Sequence, residues 1–198
     1  MPKHSAILPL VTLPQKILRR HASEIPAGDI RTTEMQHLIS AMKATLAGTP
    51  DGVGLAAPQV GHSLRLFIVS EEAEEIDRAE KSGWKRRKKE SPEEKEDEPY
   101  QKRPWKYYVF INPVVKNKAR RMTAEAEGCL SVPGKFGPVK RYEKITVEAL
   151  DEYSKKFTRG SAGFFARVVQ HELDHLDGTL FIDKAEELID MSPATQKK

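Results

Sequence analysis

The chain is organised around residues 163–178, which read GFFARVVQHELDHLDG. Apolar residues recur there at the spacing of one helix face and Gly178 ends the pattern, so an α-helix is predicted to start at residues 160–163. Inside it, His171-Glu172-Leu173-Asp174-His175 matches H-E-x-x-H. Histidines four residues apart lie about one turn apart on one helix face, so both rings can reach a single metal ion. Glu172 falls on the apolar face, where an unpaired carboxylate is costly, and a metal site that needs it explains its position.

The flanking sequence predicts a second helix and a block of strands. An amphipathic helix is predicted at Thr33–Ala47, where Thr33 and Gln36 form a capping box. Strands are predicted at residues 64–70, 107–111 and 145–149. Because the strands lie in a block between two helices, the predicted fold class is α+β. We expect antiparallel strands packed around the C-terminal H-E-x-x-H helix, with the amphipathic helix near the N-terminus.

Composition favours one domain with a solvated segment. Of the 198 residues, 38% are hydrophobic, below the roughly 45–50% that is usual. Residues 71–104 hold twelve acidic and ten basic residues with little apolar periodicity. Such a segment cannot bury enough surface to offset its ordering entropy. We therefore predict a single domain, residues 1–198, that carries a mobile charged insertion at 71–104 and a polar tail at 191–198.

The charge and cysteine content exclude several classes of protein. The net charge is only +4, and the insertion nearly neutralises itself, which argues against sequence-specific nucleic-acid binding. The basic run at residues 85–89 can contact phosphate locally, although a solvated loop is the simpler interpretation. No run approaches the roughly 18–20 apolar residues of a membrane span. A single cysteine and no recognisable signal peptide predict a cytoplasmic protein without disulfides.

Two histidines do not complete a catalytic metal site, which uses three protein ligands and one open position. The metzincin extension of the motif would place a third histidine where Phe181 stands. Glu186 or Glu187 could serve instead, as in thermolysin-like enzymes. Cys129 is a further candidate, although a lone cysteine is usually a small buried apolar residue. The remaining histidines are isolated in sequence: His4, His21, His37 and His62.

Three segments together resemble peptide deformylase. They read GVGLAAPQ at residues 52–59, EGCLS at 127–131 and HELDH at 171–175. These match the family's signatures G-x-G-L-A-A-P-Q, E-G-C-L-S and H-E-x-x-H, in the family's order. Taken alone, the glycine-rich segment is more typical of a tight turn than of a site. The resemblance extends over most of residues 7–70 and 105–185, and the charged insertion departs from it.

The resemblance implies a role for each matched residue. The implied metal ligands are Cys129, His171 and His175, with water in the fourth position. Glu172 is implied as general base and acid, and Gln59 with the backbone N–H of Leu130 as the oxyanion site. Substrate contacts are implied for the Gly54 backbone and for a methionine pocket that involves Val53, Arg167 and Val168.

The resemblance also implies the activity, the metal and the partners. The activity is hydrolysis of the N-formyl group from the N-terminal formylmethionine of newly synthesised polypeptides, with release of formate. Ferrous iron is the implied metal, and nickel, cobalt or zinc can substitute for it. The implied partners are N-formylmethionyl nascent peptides, with a transient ribosome contact, no membrane and no specific nucleic-acid sequence.

Two other functions fit parts of the sequence. A zinc endopeptidase could use the same helix with Glu186 or Glu187, and it would cleave internal peptide bonds without needing Cys129. Alternatively, the metal could hold together a non-enzymatic domain whose basic run binds RNA. In that case metal removal would unfold the protein, and Glu172→Gln would have no effect.

Overall fold

The computed structural model describes residues 6–81 and 105–191, which form three α-helices and eight β-strands. In chain order the α-helices and strands are α1 (Thr33–Ala47), β1 (Gly54–Ala56), β2 (Leu66–Ser70), α2 (Glu72–Lys81), β3 (Tyr107–Lys118), β4 (Met122–Cys129), β5 (Val132–Tyr142), β6 (Lys144–Leu150), β7 (Lys156–Ala162), α3 (Gly163–Leu176) and β8 (Ile189–Asp190). Short 3₁₀ turns add Lys16–Arg19, Ala57–Val60 and Phe181–Asp183.

The strands form two antiparallel sheets. Five strands lie in the order β1-β2-β3-β6-β7, and three lie in the order β4-β5-β8. The end of β2 pairs with the start of β3, Ser70 opposite Tyr107, so the charged insertion connects two neighbouring antiparallel strands. The predicted α+β fold, with antiparallel strands around the C-terminal helix, is confirmed.

The core lies on both faces of the five-stranded sheet. In β2, Phe67 and Val69 pack with apolar residues of α3, whereas Leu66 and Ile68 pack with those of α1. All five residues of β2 are buried, because successive side chains point to opposite faces and a helix covers each face. The sheet therefore holds α3 at a fixed position on one side.

Helix α1 has the predicted bounds, but its predicted N-terminal cap is wrong. The cap is Thr32, whose side-chain oxygen accepts from the N–H of Met35 at 3.4 Å. The Gln36 amide does not close a capping box with Thr33. It donates to the backbone carbonyls of Ile30 (2.9 Å) and Glu152 (2.8 Å). Gln36 thus ties the start of α1 to the turn between β6 and β7.

The β4–β5 hairpin is absent from the sequence-based prediction. Most of β4 is exposed, and β5 contains Pro133, Gly134 and Pro138, so neither strand shows the apolar alternation of a half-buried strand. The hairpin nevertheless pairs over its length from Met122 opposite Tyr142. It carries Cys129 to the site described below.

The charged insertion begins with an ordered helix. The sequence predicts a solvated insertion from residue 71, whereas α2 is a ten-residue helix whose Ala73 and Asp77 are buried. Of the segment 71–104 that was predicted to be mobile, residues 82–104 lie outside the described residues, as do residues 192–198 of the polar tail. The division into domain, insertion and tail stays a prediction. No helix within the described ranges has the length and apolar character needed to cross a membrane.

Candidate active site and metal centre

Three potential metal ligands meet between α3 and the β4–β5 hairpin. The ligand atoms of Cys129, His171 and His175 all lie within 4.8 Å of one another. The thiol Sγ of Cys129 is 3.2 Å from Nε2 of His175. The two imidazole rings, whose centroids are 5.0 Å apart, come from successive turns of α3. The predicted third ligand is thus beside the two histidines, although 46 residues separate it from His175.

A local irregularity in β4 sets the position of Cys129. The register with β5 shifts between Gly128 and Cys129. A Cβ on Gly128 would lie 2.6 Å from the ring of Phe136, so only glycine fits there without movement of the ring. Backbone N–H of Ser131 donates to the sulfur at 3.4 Å. The hairpin therefore presents the sulfur toward α3 in a defined orientation.

The donor set fits a transition-metal ion. One thiol and two imidazoles are ligands that zinc, iron, cobalt and nickel accept, and three protein ligands leave a fourth position for water or substrate. Nδ1 of His171 is engaged by Glu127 at 2.9 Å, which leaves Nε2 for the metal. Oε2 of Glu172 and Nδ1 of His175 are buried, and neither has a hydrogen-bond partner among the described residues. Buried polar atoms without partners are rare and mark places where a water molecule or an ion belongs.

A buried ion-pair network holds His171 on the side of its Nδ1 atom. Arg141 donates to both carboxylate oxygens of Glu127, each at 2.8 Å, and to Asp174 at 2.6 Å. Lys184 donates to the other oxygen of Asp174 at 2.6 Å. Burial acts to raise the pKa of Glu127, but hydrogen bonds from Arg141 and His171 outweigh it and lower this pKa to about 2. Glu127 therefore stays ionised and holds the imidazole of His171 in one orientation, as outer partners of metal-ligating histidines do.

Sequence reasoning assigned no role to Glu127 or Arg141. Glu127 is the first residue of the E-G-C-L-S motif, and Arg141 lies in the β4–β5 hairpin, which was not predicted. A charged residue two positions before a candidate ligand was the available signal for Glu127. For Arg141 the sequence offers no signal, because its partners are distant in the chain.

Glu172 follows His171 on α3 and has only 3% of its surface exposed. Burial raises the pKa of its carboxyl group to about 7, against the lowering effect of a positive charge on His171. A Cβ on Gly54 would lie 2.4 Å from Oε1 of Glu172. The absence of a side chain at residue 54 is therefore what leaves room for the carboxylate. A carboxyl group with a pKa near neutrality can both accept and return a proton.

The Gln59 amide is fixed beside the sulfur. Its Oε1 accepts from the backbone N–H of Ala56 at 2.8 Å. Its Nε2 then faces the Ser131 hydroxyl at 3.3 Å and Sγ of Cys129 at 3.6 Å. Gln59 is 2% exposed, and Leu130 follows Cys129 directly in the chain. The glycine-rich segment is thus more than a tight turn, since its last residue directs an amide donor into the site.

These residues surround one cavity of about 420 Å³. Nine of the ten predicted site residues line it: Val53, Gly54, Gln59, Cys129, Leu130, Arg167, Val168, His171 and Glu172. The tenth, His175, is 1% exposed and does not line the cavity. Phe136 and Phe164, which were not predicted, also line the cavity. The volume matches that of a small-molecule or short-peptide site.

The alternative metal ligands lie elsewhere. Glu186 is exposed and pairs with Lys140 at 2.7 Å, and Glu187 is exposed as well. Among the described histidines, His21, His37 and His62 are exposed and lie outside the cluster. The geometry therefore favours Cys129 as the third ligand over either glutamate.

Comparison with known proteins points to one family. The sequence model of the family described as polypeptide deformylase matches residues 7–190. A peptide deformylase of Symbiobacterium thermophilum is 39% identical over 183 residues, which cover 92% of this chain and 69% of that protein. The chloroplastic peptide deformylase 1A of Solanum lycopersicum is 34% identical over 182 residues, 92% of this chain. The match spans 61% of the tomato protein's length.

Solved structures agree with these sequences. The class I type b peptide deformylase of Acinetobacter baumannii bound to Met-Ala-Ser superposes with a TM-score of 0.70 at 32% identity and covers 91% of this chain and 99% of that one. The peptide deformylase of Synechococcus elongatus in complex with actinonin gives a TM-score of 0.67 at 30% identity and covers 94% and 82%. Sequence and fold comparisons therefore converge over the part of the chain that builds the cavity.

Proposed function

The chain belongs to the polypeptide deformylase family, and from that premise we propose that it removes the formyl group from the N-terminal formylmethionine of newly synthesised polypeptides and releases formate. The observation that carries this proposal is the meeting of the Glu172 carboxylate and the Gln59 amide with the cluster of Cys129, His171 and His175 at one cavity. Hydrolysis of a formamide needs a base, a hydrogen-bond donor to the developing oxyanion and an activated water, and these groups correspond to those needs.

A metal ion bound by the three ligands would supply the electrophilic part of the chemistry. Sγ of Cys129 and one ring nitrogen each of His171 and His175 would hold it. When bound, a divalent ion lowers the pKa of a coordinated water and polarises the formyl oxygen. We propose ferrous iron as the native metal, as the family resemblance implies, with nickel, cobalt or zinc as substitutes that the same thiolate and two imidazoles can hold.

The remaining steps belong to the protein. Glu172 accepts the proton of the attacking water at its carboxylate and then delivers it to the leaving amine, which gives a free N-terminus. The Nε2 amide of Gln59 and the backbone N–H of Leu130 donate to the oxygen that becomes negatively charged, and one such donor typically contributes about 3–4 kcal/mol to transition-state stabilisation. The Gly54 backbone lies along the extended peptide. Val53, Arg167 and Val168 contribute to the pocket for the methionine side chain.

The proposed substrate agrees in chemistry with one structural relative. The A. baumannii enzyme was solved with Met-Ala-Ser bound, and Met-Ala-Ser is the peptide that remains when formyl-Met-Ala-Ser loses its formyl group. We therefore propose N-formylmethionyl nascent peptides as the substrates. The transient ribosome contact and the cytoplasmic location stay predictions.

The test is formate release from formyl-Met-Ala-Ser by protein purified without oxygen, with acetyl-Met-Ala-Ser as the matched control peptide. We expect release of formate from the formyl peptide and no release of acetate from the acetyl peptide. Glu172→Gln should keep the metal and the fold but lose at least about a hundredfold in rate, since general acid–base catalysis contributes roughly 10²–10⁴. Cleavage of internal peptide bonds would favour the endopeptidase instead. Undiminished formate release by Glu172→Gln would contradict the proposed mechanism.

A further inference from the structure

Helix α3 begins without a cap from its own sequence. Strand β7 ends at Ala162 and α3 starts at Gly163, with no loop between them. The N-cap residue is Ala162, whose side chain cannot accept a hydrogen bond. Backbone N–H of Gly163 donates to the carbonyl of Glu143 at 3.0 Å. The next N–H groups need partners from outside the helix, because the first N–H groups of any helix have none inside it.

Asp77 of α2 supplies those partners from 87 residues away. Its Oδ1 accepts from the N–H of Phe164 at 2.6 Å and its Oδ2 from the N–H of Phe165 at 3.0 Å. Asp77 is only 8% exposed, and hydrogen bonds to a buried carboxylate are among the stronger ones in proteins. Gly163 has φ of +58°, and a Cβ there would lie 2.4 Å from Oδ1. The backbone of α3 therefore accommodates the carboxylate of Asp77.

Helix α2 is itself anchored by a second contact. Glu74 forms an ion pair with Arg159 of β7 and accepts from the hydroxyl of Tyr108 in β3 at 3.0 Å. The guanidinium of Arg159 lies 3.8 Å from the ring centroid of Tyr108 and 4.5 Å from that of Phe165. Such cation–π contacts with an ion pair hold side chains in a defined geometry. Because α2 is held at Glu74, one turn before Asp77, the capping carboxylate has a fixed position.

The first turns of α3 form the substrate side of the cavity. Phe164, Arg167 and Val168 line it, whereas His171 and Glu172 lie farther along the helix. His171 has its own support from Glu127. A shift of the first turn would therefore move the wall that contacts substrate more than it would move the reacting groups.

We propose that Asp77 is a positioning residue that fixes the first turn of α3 and, through it, the substrate-binding wall of the cavity. This inference rests on the proposed deformylase function. It assigns a part in substrate binding to the start of the charged insertion, which the sequence alone predicts to be solvated and mobile.

The test compares Asp77→Ala with Glu75→Ala, which removes a carboxylate from the exposed face of the same helix. In Asp77→Ala we expect KM for formyl-Met-Ala-Ser to rise at least about fivefold, with kcat within about twofold of the parent, as for loss of uniform binding. Metal content should not change. Glu75→Ala should match the parent in both constants. Equal KM in Asp77→Ala and Glu75→Ala, or a fall in kcat with KM unchanged, would overturn the proposal.

Two further measurements cover the case in which Asp77→Ala does not fold. Asp77→Asn keeps one acceptor oxygen, so its KM should exceed the parent's by less than about fivefold, and a KM equal to the parent's would contradict the proposal. Amide hydrogen exchange at Phe164 and Phe165 should be faster in Asp77→Asn than in Glu75→Ala. This measurement does not require enzymatic activity. If the parent protein releases no formate, the proposed function fails. The exchange rates still decide whether Asp77 holds the first turn of α3.

Discussion

Gly54 of β1 lies directly against the carboxylate of Glu172. A Cβ built on Gly54 would be 2.4 Å from Oε1 and 2.9 Å from Cδ of that glutamate, and 2.9 Å from Cγ1 of Val168. These distances are shorter than any van der Waals contact, so a side chain at residue 54 would displace Glu172. The position of the proposed general base is thus set by a strand residue more than a hundred positions earlier in the chain.

Gly54→Ala should lower kcat for formate release by about a hundredfold, since misplacement of a reacting group by about 1 Å can cost that much. Metal content should stay at the parent level, because the three atoms nearest to a Cβ at residue 54 belong to Glu172 and Val168 and not to a ligand. The matched control is Gly160→Ala, where a Cβ would meet nothing within 4 Å. Steady-state kinetics and metal analysis of both variants check the prediction. A kcat equal to the parent's in Gly54→Ala would show that Glu172 can adopt another conformation that is still catalytically competent.

Cys129→Ala should lose metal and activity together, because it removes one of three protein ligands. Glu172→Gln is the control, which should retain metal while losing activity. Metal analysis after dialysis, followed by the formate assay, separates the two variants. Full metal content with near-normal activity in Cys129→Ala would refute the assignment of the sulfur as a ligand.

The iron form should lose activity in air, whereas the nickel form should persist. A coordinated thiolate at the wall of an open cavity exposes both sulfur and ferrous iron to oxidation. The measurement is residual formate release after timed exposure to air, with protein kept without oxygen as the reference. Equal decay of the two forms would show that iron is not the labile component.

Glu127 should make stability depend on acid pH. Its pKa falls from an ordinary 4.5 to about 2 in the folded protein. A lowered carboxyl pKa stabilises the folded protein at pH values above the pKa of the unfolded state. This stabilisation, about 3 kcal/mol in total, is lost as the pH falls from about 4.5 to about 2. At pH 6 the free energy of unfolding of Glu127→Gln should be lower than that of the parent, and between pH 5 and pH 2 it should change less than the parent's does. Urea titrations across this pH range measure both quantities.

Glu186→Gln is the control for that titration. Glu186 pairs with Lys140 at the surface, with both side chains more than half exposed, and such pairs contribute about 0–1 kcal/mol. The free energy of unfolding of Glu186→Gln should equal that of the parent protein at every pH. If Glu127→Gln also followed the parent, the ion pair with Arg141 would not be a source of acid sensitivity.

Elements with a local signal were predictable from the chain. Helix α1 was predicted with its observed bounds and α3 to within three residues, because apolar residues repeat at the helical period. The spacing of His171 and His175 has its meaning within one helix, so it needs no tertiary information. Strands were also predicted at residues 64–70 and 107–111, and in the structure the corresponding strands β2 and β3 pair with each other. The error at α1, where Thr32 rather than Thr33 is the cap, is a shift of one residue between two similar side chains.

Other features depend on contacts between distant parts of the chain. Strand β4, which carries Cys129, is mostly exposed, so it lacks the apolar alternation that marks a half-buried strand. The approach of Glu127 to His171 and the capping of α3 by Asp77 require a sheet that brings separate segments together. Sequence by itself determined the helix, its ligand spacing and, through three motifs in order, the family. Only the tertiary structure decided which carboxylates support that helix, because a buried charge is stabilised by whichever partner the fold places beside it, at any separation along the chain.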